Sequence, residues 1–126
     1  MNRRFVWLVV LTALSLFILS ACGGGEGDGA DSALIQQGKL VFQANCSACH
    51  STTPGITIVG PALAGIATRA GEVVSGLDGR AYLEQSILDP GAYLTDGFKN
   101  LMPDTYGNSI SDEDLDALIS YMLTLE

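Results

Sequence analysis

The residues most able to do chemistry in this chain are Cys46-Ser47-Ala48-Cys49-His50. Two thiols three positions apart on a helical turn can reach the two vinyl groups on one edge of a porphyrin and form a thioether with each. The imidazole of the next residue then lies under the iron, where a neutral histidine nitrogen is a common ligand. The spacing therefore predicts one covalently attached haem, held by Cys46 and Cys49 with His50 on the iron.

Three other roles for this cysteine pair need features that the sequence provides poorly. A structural zinc site needs a second pair of ligands, but the chain has 3 cysteines and 1 histidine in total. A thioredoxin-like redox pair needs strands alternating with helices, and no strand pattern flanks Cys46. A plain disulfide fits an oxidising compartment, although it gives the neighbouring histidine no role.

The third cysteine, Cys22, ends a segment with the pattern of a bacterial lipoprotein signal. Two arginines precede an apolar run of 15 residues (5–19), which is followed by Ser-Ala-Cys22. A spanning helix needs roughly 20 apolar residues, and small residues at the end of a shorter run are typical of a cleaved signal. We expect residues 1–21 to be a signal peptide and Cys22 to carry the lipid. An uncleaved anchor helix is the alternative, and both place the rest of the chain outside the cytoplasm.

Residues 22–31 contain the lipid-bearing cysteine and a polar, glycine-rich run that predicts a flexible tether. The full chain has a formal charge of −8, and loss of Arg3 and Arg4 with the signal would leave −10. Such an acidic protein is not expected to bind nucleic acid. Its surface favours a redox partner with a basic docking face, or serves solubility alone.

Residues 32–126 predict a single all-α domain. Apolar spacing and capping signals indicate about four helices with no strand and no internal repeat. The first runs from Ser32 to about Asn45, a short helical turn begins at Pro61, a third helix follows Asp78 and ends before Asp89-Pro90, and a fourth follows Ser111. The last begins with a capping-box pattern in which Asp114 replaces the usual Glu. A domain this small buries a modest core, so a haem would form much of it.

Several positions give this domain a resemblance to class I cytochrome c. Gly38 and Phe42 stand where that family has the glycine and aromatic of its N-terminal helix, and Leu118 and Tyr121 stand where its C-terminal helix crosses. Residues 60–65, G-P-A-L-A-G, look like the family's G-P-x-L-x-G loop, and residues 82–94 are similar to the helix and loop before its second iron ligand. The resemblance implies a small all-α cytochrome c fold around one haem c.

The resemblance also implies site residues. The Pro61 carbonyl would accept a hydrogen bond from His50 Nδ1 and so orient the ring. Because the chain has no second histidine, the other strong ligand must be Met, Lys, Tyr or a terminal amine. Met102, in an M-P pattern, matches the family's ligand, whereas Met122 falls on the apolar stripe of the last helix. For a haem propionate the available donors are Arg69, Arg80 and Tyr106, and Arg69 is favoured by its spacing from the loop.

Ligation by His50 and Met102 would close the iron to substrates and favour the reduced state. We therefore expect an electron-transfer protein and not an enzyme: a membrane-tethered carrier of single electrons between respiratory or photosynthetic complexes, with one redox protein as donor and another as acceptor. One alternative is an accessory electron-entry subunit of an oxidase or dehydrogenase, since residues 65–125 resemble the cytochrome c domains of some oxidase second subunits. A haem-based gas or redox sensor is a third hypothesis.

Overall fold

The computed structural model describes residues 26–126, and within them the chain is all helix and loop. The helices are α1 (Glu26–Asn45), α2 (Ile66–Val73), α3 (Gly79–Leu88), α4 (Tyr106–Ser109) and α5 (Asp112–Met122). This confirms the all-α class expected from the sequence. The predicted signal peptide, Cys22 and the first part of the predicted tether lie outside the described residues. None of the described helices is long and apolar enough to cross a membrane.

The crossing of α1 and α5 is the most extensive helix contact in the domain. A side chain at Gly38 would overlap the backbone carbonyl of Ala117, and its Cβ would also lie 2.8 Å from Tyr121 Cβ. One helical turn further on, the rings of Phe42 and Tyr121 pack at a centroid distance of 5.6 Å and an angle of 57°. Leu118 is fully buried in the same contact. The glycine thus allows the close approach predicted for this pair of helices.

Helix starts at two positions follow the predicted capping signals. The Asp78 side chain accepts a hydrogen bond of 2.8 Å from the backbone N–H of Ala81, and Ser111 Oγ accepts one of 3.1 Å from the N–H of Asp114. The reciprocal half of the capping box takes another form. Asp114 Oδ1 accepts a hydrogen bond of 2.8 Å from Gln37 Nε2 on α1, so this carboxylate links two helices.

Helix α1 begins earlier than the sequence predicts, at Glu26 and not at Ser32, so residues 26–31 of the predicted tether are helical. The helix expected from Pro61 begins instead at Ile66, since Gly65 adopts a left-handed conformation with φ 73°. Helix α4 was not predicted, because four residues are too few for a periodic pattern.

The core lies under the α1–α5 crossing and is completed by the inner sides of α2 and α3. Its buried members are Phe42, Leu63, Ile66, Ala70, Tyr82, Leu83, Ile87, Leu118, Ile119 and Met122. Helices α2 and α3 also pack on each other, and the long connection from α3 to α4 passes beside the core. This arrangement leaves a cavity bordered by the end of α1, the loop before α2 and the connection that carries Met102.

Candidate haem site

The last turn of α1 passes directly into the motif with two cysteines and a histidine. The backbone N–H of Cys46 donates to the carbonyl of Phe42 at 2.8 Å, which continues the helical pattern by one residue. The carbonyl of Cys46 then accepts from the N–H groups of Cys49 and His50 at 3.0 and 2.9 Å. This closed turn sets the relative positions of both thiols and the imidazole, and it is anchored to a helix held by α5.

The His50 ring is oriented by the loop that follows it. Its Nδ1 lies 3.0 Å from the carbonyl oxygen of Pro61, the contact that the family resemblance implies. Because a carbonyl oxygen can only accept, Nδ1 carries the proton in this contact and Nε2 keeps its lone pair for a metal. A Cβ on Gly60 would lie 2.9 Å from both Nδ1 and Nε2, so only a glycine leaves room for the ring.

Backbone hydrogen bonds fix the same loop over long distances in sequence. The carbonyl of Cys49 accepts from the N–H groups of Val59 and Gly60 at 3.2 and 2.9 Å. The N–H of Leu63 donates to the carbonyl of Ser51 at 2.7 Å. These bonds close the loop onto the cysteine motif, so the position of His50 is set by the polypeptide itself.

The cavity beside this loop has a volume of about 300 Å³ and is mainly apolar. Its lining includes Cys46, Cys49, His50, Pro61, Arg69 and Met102. Every predicted site residue in the described part of the chain therefore borders one space, although they come from three separate segments. Thiols, an imidazole and a thioether around an apolar cavity are a donor set suited to a covalently held haem.

The two methionines that border this cavity differ in setting. Met102 is half-buried in the connection between α3 and α4, on a segment with little regular structure. Met122 is 6% exposed and belongs to the apolar core at the end of α5. Met102 thus lies on a loop beside the cavity, whereas Met122 packs in the core.

Comparison with family models gives a match over residues 33–122 to the family described as cytochrome c oxidase, cbb3-type, subunit III. The chain belongs to this family. The match runs from within α1 to the end of α5. It identifies a class I cytochrome c domain, which is an electron-transfer haem protein with redox proteins as partners. Cytochrome c domains of this type are extracytoplasmic and bind haem c. A comparison with curated proteins found no match.

The Cys46 thiol of the cytochrome c domain is poorly suited to act as the nucleophile in dithiol redox chemistry. Burial, followed by the neighbouring Cys49, raises the pKa of Cys46 to about 11. Reactive dithiol pairs depend on a thiolate that is stable near neutral pH, and Cys46 would remain protonated there. Both cysteines are free. In residues 26–126, no group of three or more His, Cys, Asp or Glu side chains could hold a metal ion.

The three candidate propionate donors have different surroundings. Arg69 borders the cavity and donates to the carbonyls of Ala62 and Ala64, the second at 2.5 Å and the first at 2.7 Å. Arg80 is not in the cavity lining and pairs with Asp116 at 2.6 Å on the outer side of α5. Arg69 is therefore the better placed arginine, and it also fixes the loop that holds Pro61.

Tyr106 has a role that the sequence did not reveal. Its ring borders the cavity, and its hydroxyl donates a hydrogen bond of 3.0 Å to the carbonyl of Asn45, the last residue of α1. Burial first, and then the neighbouring Cys46 and Cys49, raise the pKa of the phenol. The hydroxyl proton is thus used to connect the segment after Met102 to the residue before Cys46. No local signal could have predicted a contact across 61 positions.

Proposed function

We propose that this protein is a membrane-tethered monohaem cytochrome c that carries single electrons between extracytoplasmic respiratory or photosynthetic complexes. The observation that supports it most strongly is the convergence of Cys46, Cys49, His50 and Met102 on one apolar cavity. Each of these side chains has the chemistry of a haem c ligand or attachment point, and membership of a cytochrome c family makes haem the fitting cofactor.

In this proposal each residue has a defined part. Cys46 and Cys49 would hold the haem by thioether bonds, and His50 would offer Nε2 to the iron while its Nδ1–H donates to the Pro61 carbonyl. Met102, from the connection between α3 and α4, would supply the thioether sulfur. Bound haem c supplies a one-electron couple whose potential is raised by His/Met ligation. With two protein ligands the site has no open position for a substrate, which fits a carrier better than an enzyme.

The membrane tether is the part of the proposal that rests on the sequence alone. The arginines, the apolar run and Cys22 together have the pattern of a lipoprotein signal, and the family's extracytoplasmic location is compatible with it. Lipid on Cys22 would keep the carrier at the membrane face on the outer side of the cell membrane or in the periplasm. A Cys22→Ser variant should move from the membrane fraction to the soluble fraction, and an unchanged distribution would contradict the lipid anchor.

The direct test of haem attachment is the intact mass of the purified protein. Wild type should carry the added mass of one haem that persists under denaturing conditions. Cys46→Ala and Cys49→Ala should each lose one thioether and yield less attached haem, while Ala48→Ser, a change at an exposed position inside the same motif, should retain the full mass. A wild-type protein without a haem-sized addition would refute the proposed function.

A second candidate is an accessory electron-entry subunit of an oxidase. It is favoured by the family description, which names a subunit of a cbb3-type oxidase. A subunit should remain with its complex through detergent purification and react poorly when isolated. A carrier should separate from the membrane complexes and exchange electrons with more than one of them, so purification after mild solubilisation distinguishes the two.

A further inference from the structure

The lining of the haem cavity differs in charge from the chain as a whole. The protein has 14 acidic residues, yet within the part that the structure describes none of them borders the cavity, whereas Arg69 and Lys99 do. In so acidic a chain this arrangement favours an anionic group in the cavity. The rest of the lining is mainly apolar. An anion held there loses water, so it needs directed hydrogen-bond donors as well as positive charge.

Three tyrosines border the cavity, and their hydroxyl groups have different surroundings. The Tyr106 hydroxyl already donates to the carbonyl of Asn45. Tyr93 is 40% exposed, so water can pair with its hydroxyl. Tyr82 is only 8% exposed, and in residues 26–126 its hydroxyl makes no hydrogen bond. Since no enclosed polar side-chain atom in this range lacks a partner, the Tyr82 hydroxyl opens into the cavity that its ring borders.

Both the backbone and the ring of Tyr82 are held in place. Its N–H donates at 2.9 Å to the carbonyl of Asp78, the residue that caps α3. Its ring packs edge-on against Tyr93, with centroids 6.1 Å apart and an angle of 74° between the planes. A hydroxyl on a ring held in this way is a preorganised donor, since little freedom is lost when an acceptor enters the cavity.

We propose that the Tyr82 hydroxyl donates a hydrogen bond to one of the two propionate carboxylates of the haem. This inference rests on the proposed function, which supplies the haem. The carboxylates are the strong acceptors on an otherwise apolar porphyrin edge, and a charged acceptor makes the stronger hydrogen bond. The Met102 sulfur, which also borders the cavity, is only a weak acceptor. Tyr82 thus stabilises a carboxylate as an anion without adding a charge, while the two cations of the lining supply the opposite charge.

The test is resonance Raman spectroscopy of the haem-loaded protein, with Tyr82→Phe compared to wild type. A hydrogen bond to a propionate raises the frequency of the bending band of that group, so the band should move to lower frequency in the variant. The reduction potential should fall, because a less stabilised negative charge favours the oxidised haem. Since phenylalanine keeps the ring and its contact with Tyr93, the absorption bands that report ligation by His50 and Met102 should not change.

Tyr93→Phe is the matched control, because it removes the hydroxyl from the other ring of the edge-on pair. Its propionate band and potential should equal those of wild type. An unmoved band in Tyr82→Phe, or equal shifts in both variants, would overturn the assignment. So would loss of the absorption band from the Met102 sulfur and iron with an unmoved propionate band, because the hydroxyl would then contact the thioether.

Two other outcomes are told apart by the same measurements. A Tyr82→Phe protein that loses stability but keeps the propionate band and the potential would show that Tyr82 only packs, and the proposal would be wrong. Failure of the proposed function is recognised separately, because a wild-type protein without the mass of an attached haem has no propionate band to measure. A full haem mass in both proteins with the same propionate band would refute only the role of Tyr82.

Discussion

The two sides of the haem site are built in different ways. The His50 side, residues 46–63, is closed by bonds between distant positions: Val59 and Gly60 to Cys49, Leu63 to Ser51, and His50 to Pro61. The Met102 side, residues 89–105, contains backbone bonds that join near neighbours, from Ala92 to Asp89, Phe98 to Thr95 and Leu101 to Lys99. Most of its residues are exposed.

This difference indicates how the two axial positions would be controlled. His50 is positioned by hydrogen bonds within the polypeptide, so its geometry changes only if the loop itself is disrupted. Met102 lies on a segment with few long-range bonds, and its position depends on contacts outside that segment, including the Tyr106 bond to Asn45. We expect a substitution on the His50 side either to disrupt ligation by His50 or to leave it unchanged. Substitutions on the Met102 side should instead weaken ligation by Met102 to different degrees.

Gly60→Ala should have the largest effect on stability and on the position of His50, because it disrupts the hydrogen-bonded His50 side. The new Cβ would lie 2.9 Å from both ring nitrogens of His50, and the hydrogen-bonded loop has little freedom to move away. We expect a loss of about 3 kcal/mol in the free energy of unfolding and a displaced His50. The measurement is the absorption spectrum of the reduced protein together with the yield of attached haem.

Gly107→Ala is the control for that substitution. Gly107 lies on α4, and its Cβ would meet Leu88 Cδ2 at an ordinary distance of 3.6 Å. Spectrum and haem yield should match those of wild type. A Gly60→Ala protein that matches Gly107→Ala and wild type would show that the loop around His50 adapts to the new Cβ, and it would remove the contrast between the two sides.

Met102→Ala should have the next largest effect. This effect should be confined to the Met102 side. Loss of the thioether would open one axial position, so the reduced protein should bind CO rapidly while wild type does not. Met102 is half-buried, and we expect a stability loss of about 2 kcal/mol with haem attachment intact. Met122→Leu removes the other thioether that borders the cavity while conserving core volume, and it should leave the iron closed. CO binding by Met122→Leu and not by Met102→Ala would reverse the ligand assignment, and rapid CO binding by wild type would favour a sensor.

Local signals in the sequence were sufficient for much of this architecture. The caps at Asp78 and Ser111 depend on side chains within three residues, and the cysteine motif has its own chemistry, so both are visible without a structure. The helix crossing at Gly38 was predictable through the family resemblance. The residue on the other helix that lies nearest to Gly38, Ala117, was not. Resemblance also led to Pro61, whose position opposite His50 Nδ1 depends on an 11-residue loop.

What the sequence could not supply were features set by backbone conformation or by contacts between distant segments. The left-handed Gly65 moves the start of α2 to Ile66, and a glycine in a sequence does not reveal its φ. The Tyr106 bond to Asn45 joins residues 61 positions apart. Asp114 was assigned to a local capping box, but its carboxylate accepts from Gln37 on another helix. In each case the local sequence allows more than one backbone conformation or hydrogen-bond partner, and the rest of the fold determines which one is adopted.

Tyr106→Phe tests how the Met102 side is anchored, since it removes one hydroxyl and keeps the ring. Loss of the bond to Asn45 should cost about 1 kcal/mol. Because this bond anchors the segment after Met102, the thioether-to-iron absorption band should disappear at a lower denaturant concentration, before His50 ligation changes. Tyr93→Phe is the control, because Tyr93 also borders the cavity and packs edge-on against Tyr82. A simultaneous loss of both ligands in Tyr106→Phe would contradict separate control of the two sides.

Arg69→Gln should have the smallest effect, because the His50 side has other bonds that hold it. The guanidinium donates to the carbonyls of Ala62 and Ala64, but the bond from Leu63 to Ser51 remains in the variant. For an exposed side chain we expect a loss of about 0.5 kcal/mol in the free energy of unfolding and an unchanged His50 spectrum.

If Arg69 also contacts a propionate, loss of its positive charge will lower the reduction potential, because that charge favours the reduced state. Arg69→Lys separates the two roles: it should restore the potential, which depends on charge, but not the stability, which depends on two forked donors. A potential that stays at the wild-type value in both variants would assign Arg69 to the loop alone.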